Sequence, residues 1–259
     1  LGSITAPERA ADSIEMCRLL FGADFVDRHC AIIGNFNTTS PLVLDGVTTR
    51  GIREYAGAGQ GSIILPFLLG GAVAPLTMAG AVAQSLAESM VGCALTQLVR
   101  PGAPAVLAGF LSSMSLRSGS PTFGTPEPAL GSLVLGQLAR RLGLPLRCAG
   151  NFSTSKRPDG QAMQQAMMSM LSAVQCGANY VLHSAGFLDG LLSMSYEKFV
   201  MDCEILQQIQ RYMDPMITAT GPDEIATEAV REVGDQGHFF GIQHTQDRYA
   251  TAFYQPFLS

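Results

Sequence analysis

An arginine stands inside an apolar run that is typical of a buried strand, in the segment LPLRCAGNFSTSK (residues 144–156). Alternation along a strand puts Arg147, Ala149 and Asn151 on one face. A guanidinium pairs bidentately with a carboxylate, and an unpaired buried charge is too costly to keep without a role. We therefore expect Arg147, with Asn151 near it, to bind a substrate carboxylate. A structural ion pair with a buried Asp or Glu is the alternative.

A histidine and several neutral polar residues stand at the ends of other predicted strands. His183 lies in YVLHSAG, where a ligand-binding histidine and a hydrogen-bonded core histidine are equally plausible. Asn35 and Ser112 each follow an apolar run, and the carboxyl ends of parallel strands are where α/β proteins build their sites. Turn and cap formation is the alternative role for these polar residues.

Several kinds of catalytic site are disfavoured by the residues that are missing from these strand ends. The strand ends carry no paired carboxylates, so glycosidase-type acid–base chemistry is disfavoured. They carry no cluster of His, Cys and Asp, and His238 and His244 have no third ligand near them in sequence, so we expect no metal site. Lys156, one of two lysines, raises the alternative of a Schiff-base aldolase, although a solvated loop lysine is the simpler interpretation.

Composition narrows the class of protein further. The chain has 259 residues, a net charge of −5 and no basic run, which argues against a nucleic-acid partner. Six scattered cysteines without a CxxC pair, and a first segment without the layout of a signal peptide, are typical of a reduced cytoplasmic protein. The uncharged stretch 62–87 is interrupted by Pro and Gly, so we expect a strand and a helix there and no membrane span.

The elements that must position these residues alternate along the chain. Apolar runs predict strands, and apolar residues at four-residue spacing predict the helices between them, the first at 7–21. The predicted strands are His29–Gly34, Ser62–Leu69, Ala105–Leu111, Leu144–Gly150 and Tyr180–Ala185. This alternation indicates an α/β fold with a parallel sheet. Thr125, followed by Pro126, is expected to cap the helix that begins there.

The fold class that we infer is a TIM (β/α)8-type barrel; either some of its strands escape the apolar pattern, or this chain is the C-terminal part of a longer barrel protein. A closed barrel needs eight βα units, and about five are visible. Residues 1–221 are predicted to form the barrel portion, and residues 222–259 an additional helical and irregular extension that packs on it. A partial barrel exposes strand edges, so we expect self-association into a homo-oligomer.

Five segments in order resemble the trimethylamine methyltransferase family over nearly the whole chain. They are RPGAPAVLAGF, SGSPTFGTPEPALGSLVLGQLARRLGLPLRCAG, SKRPDGQAMQQAMMS, GANYVLHSAGFLDGLLSMSYEKFVMDCEIL and GHFFGIQHTQDRYATAFYQP. The resemblance implies a TIM barrel that is typically much longer than this chain. One branch of the family carries pyrrolysine, at a position that falls close to Phe152 here. With no pyrrolysine present, this sequence resembles the other branch, which includes enzymes that demethylate glycine betaine.

The resemblance implies that a methyl group moves from a quaternary or methylated amine to the Co(I) corrinoid of a cognate carrier protein. No cofactor tightly bound to this chain is implied. A quaternary cation has no N–H group, so aromatic faces must hold it. The aromatic candidates are Phe110, Phe123, Phe152 and Phe187, for each of which simple core packing is the alternative. A barrel that binds a quaternary amine without transferring its methyl group is the competing hypothesis for the chain as a whole.

Overall fold

A computed structural model describes residues 1–214 and 221–258 of the chain. Two compact units make up the chain, Leu1–Asp202 and Cys203–Ser259. The boundary expected between residues 221 and 222, and the packing of an extension on a barrel, remain predictions. Residues 215–220, on the barrel side of that expected boundary, lie outside the described residues.

The first unit is built on a parallel sheet of six strands in the order β1-β2-β3-β5-β8-β9. The strands of the unit are β1 (Gly2–Ser3), β2 (Ile33–Asn37), β3 (Gly61–Leu65), β4 (Phe67–Leu69), β5 (Ala105–Ala108), β6 (Phe110–Met114), β7 (Pro121–Thr122), β8 (Leu146–Ala149), β9 (Tyr180–Leu182), β10 (Phe187–Leu188) and β11 (Ser193–Met194). Strands β4, β6 and β7 form a second small sheet, and β10 and β11 form an antiparallel hairpin. The main sheet therefore has the parallel α/β organisation that the alternation predicted.

Helices follow the strands of the main sheet. They are α1 (Glu8–Phe21), α2 (Ala23–Arg28), α3 (Gly46–Gly57), α4 (Met78–Val99), α5 (Pro126–Leu142), α6 (Gly160–Gln175) and α7 (Tyr196–Met213). Asp45 and Asp159 cap α3 and α6 by accepting the amides of Thr48 and Ala162. The five expected strand–helix units are present, and β1 with α1 precedes them as a sixth.

Local chemistry explains where the predicted strand bounds differ from the observed ones. The amides of Ala31 and Ile32 donate to the side-chain oxygen of Gln60, at 2.8 and 3.1 Å, so the strand expected from His29 begins only at Ile33. Pro66 separates β3 from β4, because proline has no N–H group to donate to a ladder. Strand β1 has only two residues, too few to give an apolar pattern.

The break between β5 and β6 falls at a glycine that has no room for a side chain. A Cβ at Gly109 would lie 2.4 Å from Leu135 of α5. The prediction for the start of α5 was right about the N-cap residue and wrong about its hydrogen bond. Thr125 occupies the N-cap position, but its side chain makes no cap hydrogen bond. Its hydroxyl lies 3.0 Å from that of Ser113 instead, and the two side chains satisfy each other.

The two faces of the main sheet bury different sets of residues. Leu107, Leu146 and Cys148 pack with residues of α5 and α6, so their face is covered by helices. The opposite face carries an apolar cluster with aromatic residues beyond the strand ends: Ile63, Leu65, Ala108, Phe110, Phe123 and Phe152. Arg147 alternates with Leu146 and Cys148, and therefore lies on this opposite face, as the alternation predicted.

One helix in the described part of the chain, α4, is long and apolar enough to cross a membrane by length and composition. It packs against α3, α5, β3 and β5. It also carries Glu88, which is 4% exposed and hydrogen-bonded on both carboxylate oxygens. These contacts are those of a helix that covers one face of a sheet.

The second unit contains the end of α7 and three short helices, α8 (Pro222–Ile225), α9 (Thr227–Val233) and α10 (Gln243–Gln246). The start of the predicted helical extension is interrupted at Ala226, whose φ is +56° and which separates α8 from α9. Glu204 organises the chain end, since its carboxylate accepts from the Tyr254 hydroxyl at 2.8 Å and from the Phe257 amide at 3.0 Å. The aromatic final segment is thus tied to its own unit by one buried carboxylate.

Candidate functional site

Arg147 is completely buried in β8, between Ala108 of β5 and Tyr180 of β9 in the strand register. Its Nη2 atom lies 3.4 Å from Nδ1 of His183. Its Nε and Nη1 atoms have no hydrogen-bond partner within the described part of the chain. A buried guanidinium with two unsatisfied donors is costly, because burial removes the water that would otherwise accept from them.

The protonation states of the two groups follow from their burial and their contact. Burial lowers the pKa of Arg147 to about 10, so the guanidinium stays charged at neutral pH. Burial, followed by the charge of Arg147, lowers the pKa of His183 to about 4. The imidazole is therefore neutral at pH 7. Because arginine can only donate, Nδ1 of His183 must accept, which puts the imidazole proton on Nε2.

Aromatic rings adjoin this pair in a continuous cluster. The ring centroid of Phe152 lies 5.5 Å from that of His183, and the ring of Phe187 meets His183 edge-on at 5.1 Å. Phe110 and Phe123 continue the cluster from Phe152, at 4.9 and 5.4 Å. All four phenylalanines predicted to contact a cation are thus brought together. Phe110, Phe123 and Phe152 are also buried against one another, so they serve the core as well.

The loop that carries Asn151 and Phe152 is held by hydrogen bonds to α6 and to the segment after β9. Asn151 is fully buried, and its amide nitrogen donates to the carbonyl of Ser184 at 2.7 Å. Its Oδ1 atom has no partner among the residues described. Gln165 of α6 accepts from the Ser153 hydroxyl and the Thr154 amide, both at 2.9 Å. Sequence reasoning missed Gln165, because a single polar residue in an amphipathic helix gives no signal of its partners.

Two other predicted site residues make hydrogen bonds of their own with neighbouring protein groups. Asn35 is on β2, three strands away from β8 in the sheet order, and its amide nitrogen donates to Asn37 at 3.1 Å. Ser112 is buried in β6, and its hydroxyl donates to the carbonyls of Ser113 and Thr122 at 3.0 and 2.8 Å. The hydroxyl of Ser112 is therefore engaged with backbone carbonyls. A ligand-binding role for either residue remains a prediction.

The central cluster brings two kinds of chemical group side by side. Arg147 and His183 offer N–H donors, which suit a carboxylate. The aromatic faces beside them suit a cation that has no N–H groups. The cluster contains no side chain that would act as a base at neutral pH except the imidazole, whose low pKa makes it a poor one.

Comparison with known proteins places the chain in one family. The sequence model described as trimethylamine methyltransferase (MTTB) matches residues 1–259. The chain belongs to this family.

Relatives within the family include enzymes named for two amines. The glycine betaine methyltransferase of Desulfitobacterium hafniense (strain Y51) is 36% identical over 260 residues, covering all of this chain and 54% of that protein. Trimethylamine methyltransferase MttB2 of Methanosarcina mazei is 30% identical over 208 residues, covering 80% of this chain and 41% of that protein. Trimethylamine methyltransferase MttB of Desulfitobacterium hafniense (strain DCB-2) is 27% identical over 211 residues, 82% of this chain and 42% of that protein. The chain spans about half the length of the curated relatives it matches.

The two lysines of this family member occupy opposite environments. Lys156 is exposed in the loop after β8, so its amine keeps its water and lacks the desolvation that activates a Schiff-base lysine. Lys198 is fully buried in α7 and forms an ion pair with Asp202, which is also fully buried. Sequence reasoning missed this pair, because opposite charges four residues apart on a helix usually form a solvated surface pair.

A second buried carboxylate fixes the loop after β2. Glu88 of α4 accepts from Thr38 at 2.5 Å, from Ser40 at 2.7 Å and from the Leu42 amide at 2.8 Å. Burial acts to raise the pKa of Glu88, but these hydrogen bonds, with one from Gln84, outweigh it and lower the pKa below its ordinary value. The only sequence signal was a single acidic residue that ends an uncharged stretch. Its partners fifty residues away were not visible.

Proposed function

We propose that this chain is part of a (β/α)8-barrel methyltransferase that moves a methyl group from a betaine-type quaternary amine to the Co(I) corrinoid of a separate protein. Membership of the trimethylamine methyltransferase family supports the reaction class. The six-stranded parallel sheet, with a helix after each strand, supports a partial barrel. A relative named for glycine betaine, aligned along the whole chain, supports the betaine branch.

The observation that carries the proposal is the buried, unsatisfied guanidinium of Arg147. Its Nε and Nη1 donors lack partners among the described residues, and its neighbour His183 is a neutral hydrogen-bond donor through Nε2. A carboxylate accepts from several N–H groups at once, so it would satisfy these donors and offset the buried charge. Trimethylamine has no carboxylate, so it would leave the N–H donors unsatisfied and the buried charge uncompensated.

The orientation of the bound zwitterion follows from the order of residues along β8. Arg147 lies within the strand, whereas Phe152 lies beyond its carboxyl end, so the donors are deeper and the aromatic faces nearer the loops. The carboxylate would point into the sheet and the methylated nitrogen towards the loops. Asn151 Oδ1, an unsatisfied acceptor beside Phe152, would lie close to the polarised methyl groups and favour the positive charge.

The loops at this end of the sheet also suit an approaching corrinoid protein. Exposed leucines stand in the loops after β2, β4, β6 and β10: Leu42, Leu76, Leu116 and Leu192, each at least 69% exposed. A corrin ring on its carrier protein presents a wide and partly apolar face, which such an exposed rim matches. The Co(I) corrin would supply the nucleophile for the methyl group.

The work left to this chain is positioning and the exclusion of water. The donors on Arg147 and His183 would fix one end of the substrate, and the aromatic rings would hold the other end in one orientation. Burial of the rings keeps water away from the methyl groups, which favours transfer in a dry site. No residue of the cluster needs to remove a proton, because methyl transfer from a quaternary nitrogen releases none.

Titration calorimetry with matched ligands tests the proposal. We expect glycine betaine to bind, and tetramethylammonium and trimethylamine, which lack the carboxylate, to bind at least about tenfold more weakly. A methyl-transfer assay with free cob(I)alamin then separates the two hypotheses for the chain. Binding with cobalt-dependent demethylation supports an enzyme, and binding without it supports a quaternary-amine-binding barrel. Failure of glycine betaine to bind contradicts the betaine proposal.

A further inference from the structure

The segment that carries His183 and Phe187 adopts backbone conformations that side chains normally avoid. His183, Asp189 and Leu191 have φ values of +58°, +49° and +78°, and Gly186 between them has +91°. Left-handed conformations are unfavourable for residues with a Cβ, and they persist only where the surroundings enforce them. Something outside the segment must therefore hold it in place.

Hydrogen bonds fix the segment at three points. Its start is held by Asn151, which donates to the Ser184 carbonyl. Its end is held by the amides of Asp189 and Gly190, which donate to the carbonyls of Ser155 and Ser153 at 2.8 and 2.9 Å. Its middle is held by Gly186, whose amide donates to Asp202 Oδ2 at 2.8 Å and whose carbonyl accepts from the Ser195 amide at 3.1 Å.

The bond to Asp202 differs from the others because its acceptor is a fully buried carboxylate. Its second oxygen, Oδ1, accepts from Lys198, and neither side chain has any exposed surface. Lys198 stands in the first turn of α7, where the helix dipole disfavours a positive charge, so helix stability does not explain it. Replacing a buried ion pair with apolar residues is often neutral or stabilising. Stability alone is therefore a weak reason for this chain to bury the pair.

We infer that Asp202, with its charge compensated by Lys198, is the positioning residue for the His183–Phe187 side of the aromatic cluster. Its carboxylate fixes the Gly186 amide, and Gly186 sets the direction of the chain between His183 and Phe187. A charged acceptor makes a stronger hydrogen bond to a backbone amide than a neutral one, and Lys198 is what allows that charge to be buried. This inference rests on the proposed function only in taking the cluster to bind a quaternary amine.

Two double variants separate positioning from a general contribution to the core. Lys198→Met with Asp202→Asn removes both charges and keeps an acceptor for the Gly186 amide. Lys198→Met with Asp202→Leu removes both charges and the acceptor, at nearly the same side-chain shape. Ile52→Val, a mild change in the separate core around α3, controls for a small loss of packing.

Three readouts follow the segment itself and do not require catalysis. Hydrogen exchange of the Gly186 amide reports the bond to residue 202, and NMR titration of the imidazole reports the pKa of His183, about 4 in the native arrangement. Calorimetry reports the affinity for glycine betaine. With Asn at 202, a weaker neutral acceptor for the Gly186 amide, we expect all three values to lie between those of the wild type and those of the variant with Leu. With Leu at 202 we expect the Gly186 amide to exchange at least about tenfold faster and the pKa of His183 to move towards 6.5. We also expect glycine betaine to bind at least about tenfold more weakly.

Identical behaviour of the two double variants would overturn the inference, as would an unchanged pKa of His183 with Leu at 202. If that variant does not fold, Lys198→Met with Asp202→Ser, whose hydroxyl is too short to reach the amide, takes its place. If the wild type does not bind glycine betaine, the proposed function fails. The exchange rate and the pKa of His183 then still decide the inference.

Discussion

Replacing Arg147 with methionine should make the ligand-free protein more stable while weakening betaine binding. Burial lowers the pKa of Arg147 from its ordinary value to about 10. One pKa unit corresponds to about 1.36 kcal/mol, so carrying the charge costs the folded state about 3 kcal/mol at pH 7. The folded pKa lies below the unfolded one, so this cost is fully present below pH 10 and disappears as pH rises above 10 towards the unfolded pKa.

Methionine removes that cost but leaves part of the guanidinium volume empty. A void of this kind costs about 1–2 kcal/mol, so the net gain should be about 1–2 kcal/mol. For a chain of this size, each kcal/mol raises the melting temperature by about 2–4 °C. The loss of two charge-assisted hydrogen bonds should cost about 2–4 kcal/mol of betaine binding, a factor of about 30 to 1,000.

Thermal unfolding and titration calorimetry measure the two effects on the same samples. Arg141→Met, at an exposed arginine of α5, is the matched control and should change neither quantity. Tetramethylammonium, which has no carboxylate, should bind Arg147→Met at least as tightly as the wild type, because the guanidinium charge no longer repels it. A loss of stability of about 3 kcal/mol or more would show that Arg147 has a structural anionic partner, and the reasoning would be refuted. Unchanged betaine affinity would refute it equally.

Three other substitutions test separate parts of the cluster. The wild type should lose stability as pH falls from 6.5 to 4, because the fold favours the neutral form of His183, whose folded pKa is about 4. His183→Gln should remove this loss, and urea unfolding at several pH values across that range measures it. Phe152→Leu should weaken tetramethylammonium binding about 2- to 30-fold by calorimetry, whereas Phe21→Leu, at an exposed ring, should not. Glu88→Ala should cost about 3–5 kcal/mol of stability and make the chain between Thr38 and Leu42 sensitive to protease, whereas Glu54→Ala, at an exposed site of α3, should do neither.

The sheet was predictable from the sequence because its strands are apolar on both faces. Three of the five expected runs contain their observed strand or strands wholly or almost wholly, and the run from Ala105 to Leu111 contains β5 but only the first two residues of β6. The run from His29 does not contain its whole strand, because the Gln60 side chain takes the amides of Ala31 and Ile32. Competition of that kind depends on a residue about thirty positions away, which no local pattern reveals.

Part of the site was predictable for a similar reason. Alternation along β8 was enough to place Arg147 on the face opposite Leu146 and Cys148, and strand-end reasoning was enough to select His183. The four phenylalanines were selected from the substrate that the family resemblance implies. Strand-end reasoning also selected Asn35, on β2 three strands from β8, and Ser112, whose hydroxyl binds backbone carbonyls. Strand-end position says which edge of the sheet a residue is near, but only the strand order gives its distance from another strand.

The helical side chains that hold the strand-end loops were not predictable, because nothing in the local sequence shows that they are buried or half-buried. Glu88, Gln165 and the Lys198–Asp202 pair are polar residues on helices, where solvent exposure is the ordinary expectation. Their role appears only when the loops they bind have been placed against them. Each binds a loop at the carboxyl end of a strand, by accepting from backbone amides or hydroxyls.

Different parts of the fold fix the two ends of the candidate site, which suits a protein that acts by positioning its substrate. Arg147 stands on a strand whose backbone is fixed by the sheet, whereas Phe152 stands on a loop held by Gln165 of α6, and the segment of His183 and Phe187 is held by Asp202 of α7. A substrate held at one end by a rigid donor and at the other by apolar faces would keep its methyl group in one place without a catalytic base. Substitution of Gln165 should therefore loosen the aromatic end and leave Arg147 in place, whereas substitution of Asp202 should disturb both ends, because His183 would be a donor to the carboxylate. Loss of Gln165 should then weaken the contacts with the quaternary nitrogen more than the hydrogen bonds to the carboxylate.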